Sequence, residues 1–184
     1  MRDQLKSKLG AASLAAVLAL GFTAAAAQDD PPFGDEASVA YAAQLWDLML
    51  EADLVGDDAI RSYAYEGNEP HGVILEQIET TLTVDGHEGI LIVKTNFMAE
   101  DLTTDQVMDA ARGEFLDATT IMFKREEGYA PESADWFWAK YMAGGELDVA
   151  PNDLQMAGRV AGCIGCHEAA PGGDFVYLHN RFAE

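Results

Sequence analysis

"VILEQIETTLTVDGHEGILIVKTNF", residues 73–97, decides the fold. Its first half is rich in β-branched residues and stops at Asp85-Gly86, a dipeptide that favours the tight turn joining two antiparallel strands. "HEGILIVKTNF" then returns as the second strand, so the spacing predicts a β-hairpin over 73–97. Two further strands are expected on its C-terminal side, "ATTIMFKRE" (Ala118–Glu126) and "DWFWAKYM" (Asp135–Met142), joined by the turn-like "EGYAPESA". A helix is expected over Leu102–Phe115, with Thr103 or Thr104 as its cap and Gly113 near its end. On the N-terminal side, Tyr41, Leu45, Leu48 and Met49 recur at helical spacing within Ala37–Leu54, and Val55-Gly56 closes that run. "GGELDVAPND" is a loop, and "LQMAGRVAGCIGCHE" carries a short helix near the C-terminus. The class is α+β: a central antiparallel sheet with flanking helices.

The ends of the chain are built differently. Arg2, Lys6 and Lys8 precede the apolar "LGAASLAAVLALGF", and "TAAAAQDD" follows with small residues, the pattern of an export signal cut after Ala27. The apolar run is shorter than the ~20 residues a membrane-spanning helix needs. "QDDPPFGDE" (Gln28–Glu36) reads as a flexible leader. The expected organisation is therefore a signal peptide over 1–27, a leader over 28–36 and one domain over 37–184, periplasmic and soluble after cleavage. The 184-residue chain carries 32 acids against 11 bases, a net −21. Loss of the signal removes three bases and one acid and leaves −23. Such a surface disfavours nucleic acid and anionic lipid as partners.

The chemistry concentrates in "AGCIGCHEAA" (Ala161–Ala170), which holds both cysteines. Cys163-X-X-Cys166-His167 is the attachment pattern of c-type haem. Two thiols on one turn can add to the vinyl groups on one porphyrin edge, while the next residue aims its imidazole at the iron. A zinc site needs four ligands, and the remaining histidines, His71, His87 and His179, lack pair spacing. A thioredoxin-like pair belongs at the start of a helix after an early strand, not at the C-terminus. A plain disulfide stays open as a fourth reading. One covalently attached haem c, held by Cys163 and Cys166 with His167 on its iron, is the cofactor the motif favours. For a sixth ligand the candidates are Met98, Met142, Met156, His71, His87 and His179, and nothing in the sequence singles one out.

Three segments together resemble the cytochrome P-460 family, which includes the cytochromes c′-beta. They are "GILIVKTNF" (Gly89–Phe97), "TTIMFKREEGYAPESADWFWAKYMAGGEL" (Thr119–Leu147) and "AGCIGCHEAAPGGDFVYLHNRF" (Ala161–Phe182), covering most of residues 70–182. The resemblance implies a curved antiparallel sheet with helices, a five-coordinate iron with His167 proximal and an open distal site, and a homodimer. Members oxidise hydroxylamine or bind nitric oxide, so the partners implied are a small nitrogenous ligand and an exported redox protein. The enzymatic members bond a lysine to the porphyrin ring, and by motif that lysine is Lys94. Taken alone, Lys94 interrupts the apolar Ile90–Val93, which a strand-end lysine reaching solvent would also do. Gln155, Met156 and Arg159, just ahead of the thiols, are candidates for the pocket. So are the aromatics Phe97, Phe115, Phe123, Trp136, Phe137, Trp138 and Tyr141. The alternatives are a nitric-oxide binder without the cross-link and a six-coordinate electron carrier.

Overall fold

A computed structural model describes residues 33–111 and 113–179. The export signal read over 1–27 lies outside these residues, as does most of the leader. The leader's last residues are part of the domain. Phe33 is buried, the Gly34 N–H donates to Ala157 O at 2.8 Å, and Asp35 caps the first helix by accepting from Ser38 N at 2.8 Å.

That helix, α1 (Glu36–Glu51), buries Ala42, Leu45 and Met49, and the expected stripe members Tyr41 and Leu48 pack beside them. The chain then builds an open, six-stranded antiparallel sheet in simple sequential order: β1 (Tyr65–Glu66), β2 (Ile74–Val84), β3 (His87–Phe97), β4 (Leu116–Lys124), β5 (Trp136–Met142) and β6 (Ala157–Gly158). The hairpin is in place, paired from Ile74↔Phe97 to Val84↔His87. Its turn residues Asp85 and Gly86 have φ of 51° and 84°, the left-handed pair that matches the twist of the flanking strands. β4 and β5 fall within two residues of their expected ends.

Two elements differ from expectation. The helix read over 102–115 is only α2 (Thr104–Asp109), opened by a capping box between Thr103 and Gln106. Its C-terminal half is not helical, and Phe115 instead packs with Ile74, Phe97, Leu102 and Val107. The segment ahead of the thiols is not helical either. Ala157-Gly158 pairs with Ala139 and Trp138 as an edge strand, and the helix α3 begins only at Ala161 and ends at His167.

Alternation along the strands gives the sheet two unlike faces. Leu91, Val93, Ile121, Phe123, Phe137 and Ala139 form one core with α1, closed by the Tyr141 hydroxyl donating to Ala42 O at 2.8 Å. The intervening residues Ile92, Met122, Trp136 and Trp138 form a second cluster on the opposite face, with Phe33, Val160 and Val176.

Candidate functional site

The site lies on that second face. β6 holds the chain at the sheet edge, and Val160, buried, turns it into α3. Cys163 and Ile164 then pack on Ile92, Met122, Trp136 and Trp138. One turn of helix thereby points Cys163, Cys166 and His167 at a cavity of about 560 Å³, a size typical of small-molecule and cofactor sites. The two cysteines are not joined to each other, and burial raises the Cys163 thiol to about 11.

His167 is 8% exposed and is oriented from outside its own helix. Its Nδ1–H donates to Phe175 O at 2.7 Å, which leaves Nε2 as the free ring nitrogen. A second partner on the far nitrogen is how a metal-binding imidazole is usually fixed in tautomer and direction. The carbonyl is itself held in place: Trp136 Nε1 donates to Asp174 O at 2.7 Å, and Val176 N donates to the Asp174 carboxylate at 3.1 Å. Tyr177 adds a bond from its hydroxyl to Cys166 O at 2.9 Å. The Asp174-Phe175-Val176 run thus acts on His167 through its backbone.

The floor of the cavity is the sheet. Gln77, Lys94, Thr120 and Lys140 stand directly opposite one another across β2, β3, β4 and β5. Lys140 pairs with Asp148 at 2.8 Å, while Lys94 turns into the cavity, where burial lowers its pKa. The far wall is the segment 65–71, ending in His71. Burial, assisted by Lys94, drives the His71 pKa down to about 3, so its ring is neutral.

Of the other candidates read from the sequence, Met156 and Trp138 line the cavity. Gln155 is exposed, and Arg159 reaches outward to Glu132 at 3.7 Å. Phe123, Phe137 and Tyr141 lie under α1 on the opposite face, and Phe97 and Phe115 pack beside α2. Met98, Met142 and His179 are exposed, and His87 Nε2 donates to Lys124 O at 3.0 Å. The Phe175 carbonyl and Thr120 were not foreseen. A backbone acceptor leaves no mark in a sequence, and Thr120 is one of many strand threonines.

The donor set fits a c-type haem. Two thiols on one helical turn and an imidazole with a free Nε2 share one wall. Trp138 adds a buried Nε1 without a partner, the kind of orphaned donor that calls for an acceptor from a bound group. Among the described residues no group of three or more His, Cys, Asp or Glu side chains could hold a bare metal ion. Among the same residues no helix is long and apolar enough to cross a membrane. A family model described as cytochrome P460 matches residues 56–178, two thirds of the chain. No curated protein and no solved structure matches.

Proposed function

The chain belongs to the cytochrome P460 family of c-type haem proteins, and from that premise we propose that it acts in the periplasm on hydroxylamine or nitric oxide at a single haem c. In this reading Cys163 and Cys166 form the two thioethers and His167 ligates the iron through Nε2. The observation that carries it is the convergence of both thiols, the Phe175-oriented imidazole and the inward Lys94 on one cavity. When bound, the haem supplies an iron that takes a small nitrogenous molecule and can accept its electrons. The chain's own part is to hold that iron from the His167 side, to keep a water-poor wall of Ile92, Met122 and Trp138 around it, and to leave the side facing 65–71 for the ligand.

Lys94 decides between the two activities. Covalent attachment of its amine to the porphyrin distorts the ring and shifts its redox and ligand chemistry, which suits oxidation of hydroxylamine. An unattached Lys94 suits nitric-oxide binding. The inward, half-buried position of Lys94 at the cavity, where desolvation lowers its pKa, favours the cross-linked form. Electrons from oxidation pass to an exported redox protein, and the net charge of −21 favours a basic one.

Optical spectra of purified holoprotein test this. The cross-linked form gives a red-shifted, broadened Soret band that survives denaturation and returns to normal in Lys94→Ala. A normal c-type spectrum that responds readily to carbon monoxide identifies the gas-binding form. Absence of haem after expression with a competent maturation system defeats both.

A further inference from the structure

Phe175, whose carbonyl holds His167, has a φ of 66°, the left-handed region that a bulky side chain rarely enters. Such a conformation is strained and persists only where its surroundings impose it. Here Asp174 imposes it. Its Oδ1 accepts from Val176 N at 3.1 Å and its backbone oxygen accepts from Trp136 Nε1 at 2.7 Å, so Phe175 is bracketed on both sides. The second carboxylate oxygen, Oδ2, lies 2.7 Å from His179 Nε2. Residues 174–179 thus form a strap that runs back to the hairpin. Leu178 O accepts from Gln77 Nε2 at 2.7 Å, and His179 Nδ1 meets Glu79 Oε1 at 3.2 Å. Gln77 and Glu79 are alternate residues of β2, opposite Lys94 and Ile92, so the strap is tied to the face that floors the cavity.

Charge decides how that tie is made. A charged imidazole donates from both ring nitrogens, whereas a neutral one donates from one alone. Both contacts of His179 are to carboxylate oxygens, which accept and do not donate when ionised, so the doubly bonded ring is the charged one. Asp174 of the strap and Glu79 of β2 are the ionisable groups that face it among the described residues. Both raise its pKa, the bond to Asp174 most. Below that raised value both bonds are present. As pH rises through it, the ring keeps the shorter bond to Asp174 and loses the one to Glu79.

We propose that His179 is a positioning residue for the iron. Charged, it ties the strap to β2 and so holds the Phe175 carbonyl against His167; neutral, it releases that tie and loosens the carbonyl. This rests on the reading in which His167 holds a haem in this cavity, and it leaves the far side of the iron open. A carbonyl held firmly on the Nδ1–H of His167 makes Nε2 a stronger donor to a metal. Release of the strap weakens that donation. The iron thereby responds to pH through a residue that touches neither it nor its small ligand.

Resonance Raman spectra of full-length ferrous holoprotein test this, because they read the stretching of the iron–histidine bond directly. Haem attachment is confirmed first by resistance to acid–solvent extraction. Loss of attachment, or absence of any iron–histidine stretch, defeats the haem reading itself and is thereby separated from failure of the His179 assignment. With the stretch in view, the wild type is expected to shift once to lower frequency as pH is raised from about 6 to about 9, the range above an ordinary histidine pKa. His179→Ala is expected to hold the lower frequency throughout. Glu79→Gln removes one of the two charges that retain the proton, so its midpoint is expected at lower pH. A wild-type frequency that ignores pH overturns the proposal. So does a shift that persists in His179→Ala, which would belong to another group near the imidazole such as Lys94. Should His179→Ala yield no folded holoprotein, Glu79→Gln gives the answer, and an unmoved midpoint there overturns the assignment.

Discussion

The two faces of the sheet are made by alternate residues of the same strands, yet they behave as different materials. Toward α1, Leu91, Phe123 and Phe137 have no exposed surface and Val93 and Ile121 almost none. Toward α3, one position along, the row Gln77–Lys94–Thr120–Lys140 places polar groups across four strands beneath a cavity. The first face holds the sheet together, and the second can then carry an unpaired amine and two inward histidines. Lys94 and Lys140 repeat the contrast within one row. Lys140 has its carboxylate partner in Asp148, whereas among the described residues Lys94 has no such ion pair and burial lowers its pKa.

This division is open to direct attack. The largest effect belongs to the cavity face: replacing Cys163 and Cys166 together by Ser removes covalent haem altogether, seen as complete loss of haem from the protein band on a denaturing gel. Stability of the haem-free fold should change far less than function does. Phe137→Ala, on the α1 face, is the converse. It costs about 3–5 kcal/mol in denaturant unfolding, the usual range for a fully buried phenylalanine, while the spectrum of the remaining folded holoprotein is unchanged. A large spectral change in Phe137→Ala would show that the faces are coupled rather than separate.

The smallest effect lies at the rim. His179 sits between Asp174, 2.7 Å from its Nε2, and Glu79, 3.2 Å from its Nδ1, and the bond to Asp174 raises its pKa. A native pKa above the unfolded value of about 6.5 means that the stabilisation is fully present below that pH and fades as pH rises through the native value. The ring is 45% exposed, so screening limits the contribution to roughly a few tenths of a kcal/mol. His179→Gln should flatten the pH dependence of unfolding in that window and should do so less at high salt.

The sequence made the face under α1 easy to recognise, because period-2 and period-3.6 patterns are laid down by burial itself. Leu45 and Met49 on α1 are examples, and the apolar run Ile90–Val93 marked its strand by composition. Asp85-Gly86 marked the turn for an equally local reason. The 102–115 segment misled because its composition suits a helix, whereas Phe115 is needed in the cluster beside α2. β6 escaped notice because two residues carry no periodicity. At the site, spacing alone singled out Cys163, Cys166 and His167, and Lys94 was picked out by the family resemblance, since a lysine interrupting an apolar strand reads equally as one reaching solvent. His71 was one of six equal candidates for a sixth ligand, and only the path of residues 65–71 places it, with Met156, at the cavity. Its neighbours in sequence, Pro70 and Gly72, say nothing of a histidine about a hundred positions away.

The bond from His167 to Phe175 O separates what the short motif supplies from what the fold supplies. Everything needed to bond a porphyrin is contained in five consecutive residues, Cys163 to His167, whatever shape the rest has taken. Everything needed to aim the imidazole arrives eight residues later and depends on Trp136 from the middle of the sheet. Capture of the cofactor is thus a local event and its tuning a global one. In the proposed reading, thioether formation therefore draws on one helical turn of sequence, whereas the direction of the imidazole draws on contacts that exist only in the folded sheet.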